Sequence, residues 1–177
     1  MKRAILLLAA VSLSGLALGG CLTRHDGRVI PVGHKPVVMK GAPKAAAGMD
    51  WTFAPEGDNA ALTYGAMKGG DVKLMLACTH KSGAVTIGEP VAELPEGAKS
   101  LILVSGSVKT VDAGEVKAAP SAPDLQVMSV TFNTMAPIVQ AFDERGWISI
   151  PNGSDHLVHM VPHAGNRAVH QFFSFCG

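Results

Sequence analysis

The sequence predicts a mainly β protein, an antiparallel sandwich or small barrel with one or two short helices. Three observations carry this expectation. From residue 49 onward, short β-prone runs alternate with Gly, Pro and Asp breaks. Several of those runs place apolar residues at every second position, the period of a half-buried strand. One segment, 133–146, instead spaces its apolar residues by three and four, the period of a helix.

Trp51-Thr52-Phe53 opens the domain, and Ala61 to Gly65 makes the next run. Val72 to Cys78 follows the turn signal Gly69-Gly70-Asp71, and Ala84 to Ile87 follows Lys81-Ser82-Gly83, so these two form a hairpin. Ser100 to Val108 reads as a buried strand ending in a bulge or turn at Gly106, and Glu115 to Ala118 as a short strand. Leu125 to Phe132 alternates in part. The helix then places Met135, Ile138, Val139 and Phe142 on one face. Asn133 serves as its cap, Pro137 falls in the first turn, and Gly146 ends it. Trp147 to Ile150 returns to strand, Pro151-Asn152-Gly153 turns, and Leu157 to Val161 is a further strand. Asn166 to Cys176 reads as a second helix, with Val169, Phe172, Phe173 and Cys176 on one face. The alternative is a terminal strand through Phe172 to Phe175. The total is seven or eight strands.

The first 48 residues have a different texture. Met1-Lys2-Arg3 is a positive n-region, and Ala4 to Leu18 is an apolar stretch too short and too broken by Gly and Ser to span a bilayer. Leu18-Gly19-Gly20-Cys21 resembles the lipobox of bacterial lipoproteins. That resemblance implies cleavage after a signal peptide of residues 1–20 and acylation of Cys21. Leu22, rather than Asp, follows the cysteine and points to the outer membrane. Residues 21–48 then contain Pro31, Pro36 and Pro43 and hold no period of 2 or 3.6, as expected of a flexible tether. Extended, the tether reaches on the order of 90 Å; coiled, roughly 30 Å. Val29 to Val32 or Val37 to Met39 is its alternative use, as an edge strand. Residues 49–177 remain as one domain, large enough to bury a core of its own.

Charge excludes one class of partner. The chain carries 15 Lys+Arg against 14 Asp+Glu. Loss of Lys2 and Arg3 with the signal peptide leaves 13 against 14, a net charge of −1. With no basic stripe and no nucleic-acid motif, nucleic acid is not an expected partner. The expected partners are the membrane, through the lipid, and an envelope protein or cell-wall component.

Once Cys21 is acylated, Cys78 and Cys176 are left, and two cysteines in an oxidising compartment are expected to pair. Four of the seven histidines fall at 156, 159, 163 and 170. His156, His159, Met160 and His163 form the candidate metal set, since His and Met ligate copper and His with carboxylate ligates zinc. On a strand, however, His156 and His159 point to opposite faces, and Pro162 and Gly165 prevent a helix from aligning them. The bland alternative is surface histidines in a loop-rich region. Met75, Met128 and Met135 sit in apolar runs and are expected in the core.

Catalytic motifs are not evident. The Ser-Gly runs at 104–107 and 152–156 are not nucleophile elbows. Asp143 and Glu144 are helix neighbours and diverge. Gly69-Gly70 lacks the context of a phosphate loop. No cofactor and no enzymatic activity are expected.

Leu62-Thr63-Tyr64-Gly65, the Val72 to Cys78 run and the closing Phe175-Cys176-Gly177 resemble a loose group of uncharacterised periplasmic proteins and lipoproteins of Gram-negative bacteria. That group shares a Tyr-Gly before a strand ending in Cys and a second Cys near the C-terminus. The resemblance implies a β-rich, disulfide-closed domain and no activity. The strand-Cys-turn-strand at 72–87 is also similar in outline to the membrane-bound lysozyme inhibitors, but their Ser-Gly-rich inhibitory loop with its basic residue is not evident, and Ser105 to Lys109 is a poor substitute for it. The expected function is a non-enzymatic binding or envelope-assembly module. The alternatives are inhibition of a cell-wall hydrolase, copper or zinc handling, and a hydrolase whose site is assembled from distant residues.

Overall fold

Alternation of apolar residues sets the strands. In the computed structural model, residues 41–91, 100–119, 122–152 and 156–177 are described. They form β1 (Met49–Glu56), β2 (Asn59–Ala66), β3 (Val72–Thr79), β4 (Ala84–Val91), β5 (Ser100–Ser105), β6 (Val108–Ala113), β7 (Glu115–Ala119) and β8 (Ala122–Asn133). Helix α1 (Pro137–Arg145), β9 (Ile148–Asn152), β10 (His156–Met160) and α2 (Arg167–Cys176) complete the order. The expected signal peptide of residues 1–20, Cys21, the two edge-strand alternatives at 29–39 and Gly153 lie outside the described residues.

All strand pairs are antiparallel, in two sheets. Sheet A runs β1-β2-β3-β4-β8-β7, and sheet B runs β10-β9-β5-β6. Among the described residues β1 and β10 each pair with a single strand, so the architecture is a sandwich rather than a closed barrel. The sheets are joined on one flank by the chain itself, since only Gly114 separates β6 in sheet B from β7 in sheet A. A Cβ at Gly114 would lie 2.6 Å from Met128 Cγ, so this corner needs the missing side chain.

The other flank is closed by side chains. Trp51 Nε1 donates to the Met160 carbonyl at 3.3 Å, and Tyr64 Oη donates to the Val161 carbonyl at 3.4 Å. Burial raises the Tyr64 pKa above its ordinary value, and the nearby Asp50 adds to the rise, so the phenol stays a donor. The same two rings begin the aromatic core. Trp51 packs in tilted geometry on both Tyr64 and Phe142, with ring centroids 5.1 Å apart, and Phe142 meets Phe173 edge-on at 5.4 Å.

Both helices cover the sandwich. Helix α1 packs on β5 and β6, and α2 on β1, β2 and β3. Helix α2 buries Val169, Phe172, Phe173 and Cys176, the face its sequence marked. Its last turn is fixed to the β3–β4 turn, because Lys81 and Gly83 donate their backbone N–H groups to the carbonyls of Phe175 and Cys176, both at 3.0 Å. Cys78, at the end of β3, is bonded to Cys176, closing a loop of 98 residues.

Four sequence expectations are corrected. The 100–108 run is two strands, because Gly106, at φ 61°, supplies the left-handed residue of a tight hairpin between β5 and β6. This raises the strand count to ten among the described residues. Asn133 does not cap α1: its side chain accepts from the Met135 N–H at 2.8 Å, and the cap position is Ala136. Met135 therefore precedes the helix and is 71% exposed, while Met75 is half-buried and only Met128 of the three enters the core. Gly146 ends α1 as expected, at φ 72°.

The disulfide gives the first test. Replacing Cys78 and Cys176 together by Ala is expected to lower unfolding stability by about 2–5 kcal/mol, because the 98-residue loop is then free in the unfolded chain. Urea denaturation of the oxidised protein and the double variant measures the difference.

Candidate functional site

The core is filled where the helices sit and opens at the other end of sheet A. There an open-sided cleft of about 460 Å³ lies between the sheets. Sheet A contributes the β2–β3 turn at Gly70 and Asp71, the start of β3, the end of β4 and Leu125 of β8. Sheet B contributes Ile150, Pro151 and Asn152 of β9 and Val158 of β10. Among the described residues no helix lines this cleft.

Glu89 is the unexpected residue in this cleft. Along β4, Val85 and Ile87 are fully buried on the inward face. Strand alternation puts Glu89 on that same face, opposite Met128 in the β4–β8 ladder. Burial pushes its carboxyl above the ordinary 4.5, because the charged form loses hydration. Among the described residues nothing forms a salt bridge or hydrogen bond with it. Lys73, at the cleft's rim, is already paired with Asp71 at 2.8 Å. Sequence reasoning ended the strand at Ile87 because Gly88-Glu89-Pro90 looks like a break. Continuing the period of two from Val85 and Ile87 would have found Glu89.

The chain joins the domain at the same end. Met49 pairs with Ala66, and Met67 donates its N–H to the Gly48 carbonyl at 2.9 Å, beside the turn that supplies Gly70 and Asp71. His163 adds a second fastening. Its backbone N–H donates to Asp50 Oδ1 at 3.1 Å, and its Nε2 lies 2.8 Å from the Ala46 carbonyl.

The four candidate metal residues occupy separate environments. His156 is exposed at the start of β10. His159 Nδ1 lies 2.8 Å from Ser149 Oγ, its direct partner across the β9–β10 ladder. Met160 is fully buried in the core. His163 is engaged with Ala46 as above. Among the described residues no three His, Cys, Asp or Glu side chains gather in a way that suits a metal ion. His170 joins the two helices instead, through Nδ1 to Asp143 Oδ1 at 2.7 Å.

Ser149 and His159 have the residue types of a nucleophile and its base. Ser149, however, is completely buried, and it lies on the face of β9 opposite Ile150, away from the cleft. The pair works as a cross-strand hydrogen bond, with Trp147 edge-on to His159 at 6.4 Å. Ser105 is likewise a structural donor, buried and bonded to the carbonyls of Ala141 and Trp147 at 3.1 and 2.9 Å. The Ser105 to Lys109 run is thus a tight hairpin that leaves Ser107 and Lys109 at the surface.

No protein-family model, curated protein or solved structure matches this chain.

Glu89 yields a pH test. A carboxyl whose pKa is raised by folding binds its proton more tightly in the folded state. The contribution of Glu89 to stability is therefore most favourable at low pH and is lost as pH climbs through the range above 4.5. Glu89→Gln keeps the shape and removes the charge. Its thermal midpoint is expected to exceed the parent's by a few degrees at pH 7, with the gain shrinking toward pH 4. Calorimetry across that range checks the sign.

Proposed function

We propose that the chain is a lipid-anchored envelope protein whose β-sandwich acts as a non-enzymatic binding module, with the cleft between the sheets as its binding site. The cleft is the observation that carries this reading. It is concave, has apolar walls and a few polar groups, and holds a carboxyl carrying an energetic cost that core packing alone does not require. Sites of that composition suit selective binding. The lipobox-like Leu18 to Cys21 supplies the anchor, and the tether of residues 21–48 places the domain off the membrane. Residues 46–48 join the domain at the same end as the cleft.

The non-enzymatic part of the reading is supported by the buried position of Ser149, the one serine set against a histidine among the described residues.

Two experiments test the proposal. Cys21→Ala is expected to move the protein from the membrane fraction to the soluble fraction on cell fractionation; unchanged membrane retention would reject the anchor. A photo-crosslinking residue placed at Asn152, at the cleft, is expected to trap an envelope component in cells, where the same residue at Lys109 on β6 does not. Equal products from both positions would reject the cleft as the binding site.

A further inference from the structure

The cleft's chemistry specifies more than a binding site, and the following step rests on the binding reading above. We propose that the cleft takes a ligand bearing a primary ammonium group on an apolar stem, with the Glu89 carboxylate as the counter-ion. Three observations converge on this class. First, Glu89 projects inward from β4, in line with the buried Val85 and Ile87, rather than outward into solvent. A carboxylate so placed gains most from a partner that follows it into the cleft. Second, among the described residues the one cation of the lining, Lys73, is held at the rim by Asp71 at 2.8 Å. Among the described residues the lining therefore carries two carboxylates against one ammonium, and the unmatched charge is the inner one. Third, the walls beside Glu89 are Val72, Pro90, Leu125, Ile150 and Val158, which offer contact to an aliphatic stem and no donor to an anion.

The geometry also sets what is disfavoured. A carboxylate or phosphate ligand would meet Glu89 with like charge in a place where water screens it poorly. A purely apolar ligand would cover the carboxyl without supplying a donor, at the cost of one buried unsatisfied group. A protonated amine satisfies both demands, since its three N–H donors pair with the carboxylate while the stem lies on the walls.

The test uses the full chain, labelled with carbon-13 at its Ile, Leu and Val methyl groups, and three probes of one shape. These are n-butylammonium, butanol and butyrate, titrated separately at pH 7. n-Butylammonium is expected to shift the methyl signals of Ile150, Val158 and Leu125 in a saturable way, and butyrate to leave them unmoved. Glu89→Gln, which keeps the fold, is expected to weaken n-butylammonium binding about tenfold while leaving any butanol response unchanged. If butanol or butyrate shifts these signals with the affinity of the amine, or if Glu89→Gln binds the amine as the parent does, the ammonium assignment is overturned and the cleft remains a binding site of another class. If none of the three probes moves any of these signals, both the ammonium assignment and the cleft reading fall.

Discussion

Trp51 and Tyr64 reach from sheet A to the carbonyls of Met160, the last residue of β10, and Val161, just past it. The rest of the architecture depends on that clasp. A two-sheet protein has two flanks to close, and here the chain bends through Gly114 to close only one. On the other flank, large aromatic rings with polar tips do what a shared strand would have done. Their bodies fill the space between the sheets, and their single donors reach the opposite backbone. Phe142 of α1 can then pack onto Trp51, and Phe173 of α2 onto Phe142, which makes one continuous aromatic core of the sheets and both helices.

The aromatic mass lies beside the helices, and among the described residues the cleft at the far end of the sandwich is lined by aliphatic and polar residues. There the side chains are smaller, and β4 delivers a glutamate where its pattern has been delivering Val and Ile. A carboxyl between two sheets works against stability, and proteins tolerate such costs chiefly where they serve a ligand. The cleft and the clasp are in this sense two aspects of one distribution of side-chain volume.

The sequence disclosed the fold to the extent that local rules governed it. Alternation located most strands, and the 169, 172, 173, 176 spacing located α2. Compartment logic paired Cys78 with Cys176. The misreadings came where tertiary context overrode local signals. Ser100 to Val108 reads as one run because its apolar residues continue past Gly106, and only the turn geometry divides it. Asn133 resembles a helix cap, yet its side chain is used two residues later and the helix waits for Pro137. The candidate site was less legible than the fold. The histidines drew attention by being close in sequence, but strand alternation and separate partners distribute them to different surroundings. Glu89 was hidden because Gly and Pro flank it, and those residues signal a break everywhere except on a strand whose neighbours already hold its register.

The positions of the two chain ends have a mechanical consequence. The N-terminal segment meets the domain at Met49, at one end of sheet A, whereas the C-terminus is covalently pinned to Cys78 at the other. A force transmitted between these points runs along the strands rather than across them. Under such a load β1 is pulled lengthwise against β2, so all the backbone hydrogen bonds of their eight-residue ladder are strained together. Loading across the sheet would instead open them one after another. Forced detachment is governed by an unfolding rate, and a shear path of this kind slows it. A load applied between Met49 and Cys78 thus meets the domain along its most resistant direction.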